Sequence, residues 1–275
     1  MIKNWFKHVD KYFWIPIIFL VLAIGLLVYN TITTGEFVKR DIDLSGGKLI
    51  SLTSNKSYGD IERIVGKYTN DYNIRSMAGK KLYIIEIPEN IDDKTIINDI
   101  SPDSYSVRVV GPIVSDIFWR QAKVAITISF ILMAIVVFLI FKSIVPSGAV
   151  ILSAISDVII TVAVLSIMNV GISISIIGAL LMLIGYSVDT DILLTTKAMK
   201  STKNIEERIF KAFKTGIMTS GTSLTALIVM YIFSSSLVIK EIALTLSIGL
   251  FVDIMNTWVL NAGIIKMWVQ KKEVI

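Results

Sequence analysis

The chain has 275 residues, 54% of them hydrophobic and 18% charged, with mean hydropathy +0.72 and a formal net charge of +5. A soluble core of this length could not hide so much apolar surface, so the composition marks an integral membrane protein. Cysteine is absent and His8 is the lone histidine, which leaves no disulfide framework and no zinc site, and points to no cofactor.

A spanning helix needs about 20 mostly apolar residues, and six such stretches are predicted along the chain. The first, residues 12–35, is too long for a signal peptide and lacks a small-residue cleavage site, so it reads as an uncleaved helix. Residues 36–123 then form a long polar segment with 13 basic and 13 acidic residues. Within it the patterns run in order: a strand in 42–53, a helix over 58–68, a strand over 72–77, a turn at Ala78-Gly79-Lys80, a strand over 81–87, a helix over 91–100 after the Pro88 break, and a strand over 105–110. The order βαββαβ predicts a ferredoxin-like domain, two helices covering one face of an antiparallel sheet.

Five further spans follow. The second covers 124–141, the third and fourth share the apolar run 158–188 and are split into a hairpin by Asn169-Val170-Gly171, the fifth lies within 215–239, and the sixth runs from about 242 to 265. The third begins near Pro146 and the fourth ends near Thr196. Residues 197–214 carry an apolar stripe of Ile205, Ile209, Ala212 and Phe213 among Lys200, Lys203, Arg208, Lys211 and Lys214, the pattern of an amphipathic surface helix. Its roles are to anchor topology or to dock on anionic lipid or a partner.

Short segments rich in Lys and Arg face the cytoplasm. Lys3, Lys7 and Lys11, then Lys142, the 197–214 segment, and Lys271 with Lys272 all fall on one side of the six-span scheme. Both termini are therefore expected in the cytoplasm, and the 36–122 domain outside it. The basic excess reads as a topology signal and a membrane-lipid contact, with no nucleic-acid surface.

Four acids interrupt the apolar stretches: Asp157, Asp189, Asp191 and Asp253. An acid at the centre of a membrane helix costs about 2.5–3.5 kcal/mol, so each is a candidate functional residue. Counted from Pro146, Lys197 and Lys266, the residues Asp157, Asp189 and Asp253 lie about 16, 12 and 20 Å inward, a shared band of depth. With no Arg or His and no nearby Lys inside the spans, desolvation favours their neutral forms, as reversible proton binding requires. The alternative is that neutral carboxyls donate one hydrogen bond each, to a carbonyl, Asn256, Thr190 or Thr161, and only fix helix packing. Gly178, Met182, Gly185 and Asp189 share one helical stripe, so close helix approach is expected where Asp189 points. Asp191, about 200° around the helix, is expected to point elsewhere.

Asp43-Leu44-Ser45-Gly46-Gly47 resembles the Asp-Phe-x-Gly-Gly element that follows the first membrane helix in the SecD/SecF family. Val110-Gly111-Pro112, Ile184-Gly185-Tyr186-Ser187, Met218-Thr219-Ser220 with Leu224, and Ile242-Ala243-Leu244 with Ile248-Gly249 are similar to family motifs in the same order. Asp253-Ile254-Met255-Asn256-Thr257-Trp258 resembles the archaeal branch of SecF. The resemblance implies an RND-superfamily membrane subunit that is not an enzyme. Its implied partners are a SecD-like subunit, the SecY translocon and the translocating polypeptide, and it promotes export or insertion with the proton gradient as energy source.

The fourth span departs from the bacterial Gly-Tyr-Ser-x-Asn-Asp-Thr: Asp189 stands where Asn falls, Thr190 where Asp falls, and Thr215 where the bacterial Arg of span five aligns. Asp189 is accordingly the leading expected proton carrier, with Asp157 and Asp253 as neighbours. Two other classes remain: a passive assembly subunit, and an intramembrane aspartyl protease using Asp189 with Asp253. The second lacks a Gly-x-Gly-Asp element and a Tyr-Asp pair. No Gly-x-x-x-x-Gly-Lys-Ser/Thr run supports an ATPase.

Overall fold

The computed structural model describes residues 6, 8–77, 81–200 and 204–272. Lys3, Lys7, the Ala78-Gly79-Lys80 turn and Lys203 lie outside the described residues. The chain separates into two compact units, one of residues 1–39, 124–171 and 175–275, the other of residues 40–123 and 172–174.

The helical unit opens with α1 (Val9–Tyr12) and α2 (Trp14–Thr34), which run on as one stretch and stop where Gly35 adopts φ +78°. A left-handed residue at this position ends a helix, and glycine adopts it without a Cβ clash.

In the second unit Asp41 caps a short helix, α3 (Ile42–Ser45), through its carboxylate and the Ile42 N–H at 2.6 Å. The first part of the expected 42–53 strand is therefore a helical turn, and β1 is Gly47–Thr53. Two glycines make this junction. Gly46 has φ +80°, and at Gly47, with φ +136°, a Cβ would stand 2.8 Å from the carbonyl oxygen of Ile87. The paired glycines of the Asp43 motif thus permit the chain to leave the turn directly against the backbone at Ile87.

Helix α4 (Tyr58–Val65) is capped by Ser57, and α5 (Asp93–Ile100) by Asp92. With β2 (Asn73–Met77), β3 (Leu82–Ile87) and β4 (Ser104–Val110) they complete an antiparallel sheet of order β2-β3-β1-β4. Ile50, Leu52, Ile85 and Ile87 bury one face against Ile61, Val65, Ile96 and Ile100 of the two helices. The opposite face carries ions: Arg75 pairs with Glu86 and, at 3.4 Å, with Asp41, while Arg108 reaches Asp43 at 3.3 Å. Burial pushes the Asp43 carboxyl above the usual carboxylate range; Arg108 opposes the shift and the nearby Asp41 adds to it.

Helix α6 (Pro112–Phe141) begins 12 residues before the expected start at 124, because Pro112 suits the first turn of a helix, where no N–H is needed. Then come α7 (Ile144–Ile167), α8 (Ile174–Met199), α9 (Ile205–Phe233) and α10 (Leu237–Met255), a π-helical turn (Asn256–Asn261) and α11 (Ala262–Lys272). Among the described residues five helical stretches are long and apolar enough to cross a membrane: Val9–Thr34, α6, α7, α8 and α9. The stretch α10 is absent from this set, since Lys240, Glu241 and Asp253 lie within its 19 residues.

Helix α7 is the most enclosed of the five, packed against α2, α10 and the π turn. The stripe of Ile205, Ile209 and Ala212 is buried against Phe6, Val9, Trp258 and Ile265. This corrects the surface-helix expectation: the apolar side of 205–213 is consumed by the bundle and the segment continues without a break into α9, so this face is not free to enter lipid. Lys266, itself buried, donates to Asp10 at 2.9 Å and to the Phe6 carbonyl at 3.2 Å, tying the chain start to the last helix.

Candidate functional site

Three acids converge inside the helical unit. Asp157 of α7, Asp191 of α8 and Asp253 of α10 are each fully buried. Asp157 accepts a short hydrogen bond from the Ser187 hydroxyl and one of 2.7 Å from the Asn256 side-chain amide. Asp191 accepts from Asn261 Nδ2 at 2.7 Å and lies 2.9 Å from Thr257 Oγ1, which is also 3.0 Å from Asp253 Oδ1. A single hydroxyl, that of Thr257, thus stands between Asp191 and Asp253. Among the described residues no Lys, Arg or His pairs with any of them. No group of three acids, histidines or cysteines suited to a metal ion occurs among those residues either.

The π turn builds half of this site. On an α-helix, residues five apart stand about 140° around the axis from each other. The i→i+5 pattern over 256–261 brings such positions into line, so Asn256 and Asn261 both face inward beside Thr257, and all three are buried. Space for the widened turn comes from Gly216 of α9, where a Cβ would meet the Trp258 ring at 2.3 Å. Trp258 packs edge-on to Phe213, with ring centroids 5.3 Å apart.

Two expectations about α8 are reversed. Asp189 is exposed on the surface of this chain, whereas Asp191 is buried with Ser187 and Thr195, four residues to either side of it. Gly178, Met182, Gly185 and Asp189 do share a stripe, but it is the outer one, and nothing lies within 4 Å of a Cβ placed at Gly178 or Gly185. The pairing of Asp189 with Asp253 on which the protease alternative relied is therefore not assembled. Small residues were the wrong guide to the inner face. The better signal was the polar spacing of Ser187, Asp191 and Thr195, matched by Asp253, Asn256, Thr257 and Asn261, of which Asn261 and Thr195 were overlooked.

Residues 92–271 match the family of protein export membrane proteins SecD/SecF, C-terminal region. The chain belongs to the SecF branch of this family. It is 38% identical over 263 residues to the protein-export membrane protein SecF of Methanolacinia petrolearia, covering 94% of this chain and 93% of that one. Against the SecF of Pyrococcus furiosus the identity is 38% over 270 residues, with 94% and 90% covered. Among solved structures, the translocon-associated membrane protein SecDF of Thermus thermophilus superposes with TM-score 0.80 at 20% identity, over 96% of this chain. This chain spans 38% of that longer one. A heavy metal efflux pump shares the fold more loosely, with TM-score 0.51 at 10% identity over 90% of this chain and 33% of that one.

Proposed function

We propose that this SecF-family protein works beside a SecD-like subunit and the SecY translocon to promote export or membrane insertion of polypeptides, and that it binds protons reversibly at Asp157, Asp191 and Asp253. One observation carries the proton reading. Thr257 Oγ1 is within hydrogen-bond distance of both Asp191 and Asp253, yet a hydroxyl has a single proton to donate. Both contacts are hydrogen bonds only when one of the two acids carries its own proton and donates it to Thr257. The bundle therefore suits a shared proton, and a third acid, Asp157, stands next to the pair.

Several finer points belong to the same reading. Leu237–Lys272 forms a sixth span, with its charged residues facing protein and the membrane ends. Residues 36–122 form a ferredoxin-like domain outside the cytoplasm, a topology supported by the strand order β2-β3-β1-β4. Both termini lie in the cytoplasm. The outer stripe of Gly178, Gly185 and Asp189 meets the SecD-like subunit, because a carboxylate facing lipid would cost about 2.5–3.5 kcal/mol.

The test is Asp191→Asn, measured as export of a secreted reporter in cells and as recovery of the SecD-like subunit on purification. Loss of export from an intact complex is expected, with the remaining export no longer sensitive to a protonophore. Full export by this variant would sink proton carriage and leave the passive assembly role, which the hydrogen bonds of Ser187 and Asn256 to Asp157 would then explain as helix packing.

A further inference from the structure

In the π turn the Ala262 N–H donates to the Thr257 carbonyl five residues back, a spacing rare in helices, so the neighbours of the turn must fix it. Trp258, at its centre, has an indole N–H without a partner among the described residues and is held by packing. That packing continues to the chain start. Phe213 of α9 meets Trp258 edge-on at 5.3 Å, and the fully buried Phe6 meets Phe213 edge-on at 5.3 Å and Phe210 at 6.3 Å, all within the range of favourable ring pairs. The chain start is in turn fixed to α11 at two places. At Gly263 a Cβ would stand 2.8 Å from Phe13 Cβ and 3.3 Å from the Val9 carbonyl oxygen, so glycine is what allows this approach. Three residues on, the buried Lys266 holds the Phe6 carbonyl at 3.2 Å and Asp10 at 2.9 Å, with Glu206 of α9 at 3.9 Å. A buried ammonium stripped of such partners is strongly destabilising, which keeps this tether closed.

We infer that Phe6 is a positioning residue for the acid site: fixed to α11 at Gly263 and Lys266, it closes the ring stack Phe6–Phe213–Trp258 and so holds Asn256, Thr257 and Asn261 against the three aspartates. If the stack opens, the turn relaxes toward the α-helical spacing, in which positions 256 and 261 stand about 140° apart and cannot both face inward. The chain start thereby decides whether Asp157 and Asp191 keep their carboxamide donors together. The bland alternative is that Phe6 only fills space. Leu194 and Ala198 of α8 lie in the same apolar cluster but outside the ring stack, so a residue that merely fills space would act on them as well.

This role rests on the proton reading of the site for its purpose but not for its test, because hydrogen exchange reads the turn whether or not the acids carry protons. In the full chain purified with its SecD-like partner, Phe6→Ala should speed exchange of the amides of 259–262 roughly tenfold, the effect of one lost edge-on ring contact. The amides of 194–198 should stay as in wild type. Phe213→Leu should act alike, and adding Phe6→Ala to it should change little further, because both act through one stack. Asp10→Ala, which opens the tether, should speed the same amides, and Asp10→Glu, which keeps a carboxylate for Lys266, should stay near wild type. Export of the reporter should be lost in step with the exchange.

Wild-type exchange over 259–262 in Phe6→Ala, equal acceleration over 194–198, or full additivity with Phe213→Leu would overturn the inference. So would undiminished export by Phe6→Ala where Asp191→Asn abolishes it. Full export by Asp191→Asn beside fast exchange in Phe6→Ala removes the proton reading and leaves Phe6 as the residue that positions the turn. If Phe6→Ala does not accumulate, the Asp10 variants decide: fast exchange over 259–262 in Asp10→Ala alone supports the role of the chain start, and the same exchange in Asp10→Ala and Asp10→Glu overturns it.

Discussion

Buried aspartates are treated in opposite ways in the two units. In the sheet unit Asp41 and Asp43 each face a guanidinium, and Glu86 shares Arg75 with Asp41. In the helical unit Asp157, Asp191 and Asp253 are as deeply buried, but among the described residues their hydrogen-bond partners are hydroxyls and carboxamides. Removing a cation strands the buried charges paired with it, whereas hydroxyl and carboxamide donors carry no charge of their own. The first arrangement fixes structure. In the second, Asp191 Oδ2, Asp253 Oδ2 and the carboxamide oxygens of Asn256 and Asn261 have no partner among the described residues, which suits the proton binding proposed above.

The contrast breaks most visibly at Asp191. Its replacement by Asn should lower reporter export about tenfold or more, the scale of a lost proton-transfer group. Asp189→Asn, on the outer stripe of the same helix, should stay within about twofold, because the carboxamide keeps the size and polarity of the acid at the proposed subunit contact and no buried hydrogen bond is lost. Equal effects of the two variants would erase the distinction between inner and outer acids.

Next comes the sheet unit, where Arg75→Ala should cost about 3–5 kcal/mol by leaving Asp41 and Glu86 without their cation. Thermal unfolding of the purified protein checks this, and Arg75→Met with Glu86→Leu should recover most of the loss. A smaller effect is expected at Gly216→Ala, about 1–3 kcal/mol, since the new methyl must displace the rigid Trp258 ring beneath the π turn. A Trp258→Phe change made with it should restore part of the stability.

The smallest effect concerns pH. Because burial raises the Asp43 carboxyl in the folded protein, that state binds the proton more tightly than the unfolded chain. The contribution of this group to stability is thus greatest below the unfolded value and declines as pH rises through the folded one. Melting temperatures of wild type and Asp43→Asn should therefore differ in slope across that window, with the variant the flatter, and parallel curves would contradict the assignment.

Much of the fold was legible because its signals are local. Apolar runs closed by Lys123 and Lys142 marked the second span, and alternation in 81–87 and the Pro88 break marked strand and helix in the sheet unit. The short α3 was missed because its cause is a capping carboxylate from Asp41 and two unusual glycine backbones, which interrupt a stretch of strand-like composition. The single helix over 205–233 was divided in the sequence reading because its first turns are charged and its later ones are not.

What the sequence determined by itself was the membrane class, the order of elements, the family and the presence of acids where acids are costly. What only the tertiary structure decided was which acids meet. Helix α8 is apolar on nearly every side, and lipid is as apolar as a helix bundle, so no hydrophobic asymmetry tells the inner face from the outer. Asp189 and Asp191 are two residues apart and about 200° apart around the axis, so only one of them can face Asp157 and Asp253. The choice falls to Asp191 because Thr257 and Asn261 offer it their hydrogen bonds, while Ser187 on the same helix face donates to Asp157, from positions that only the packed helices bring together.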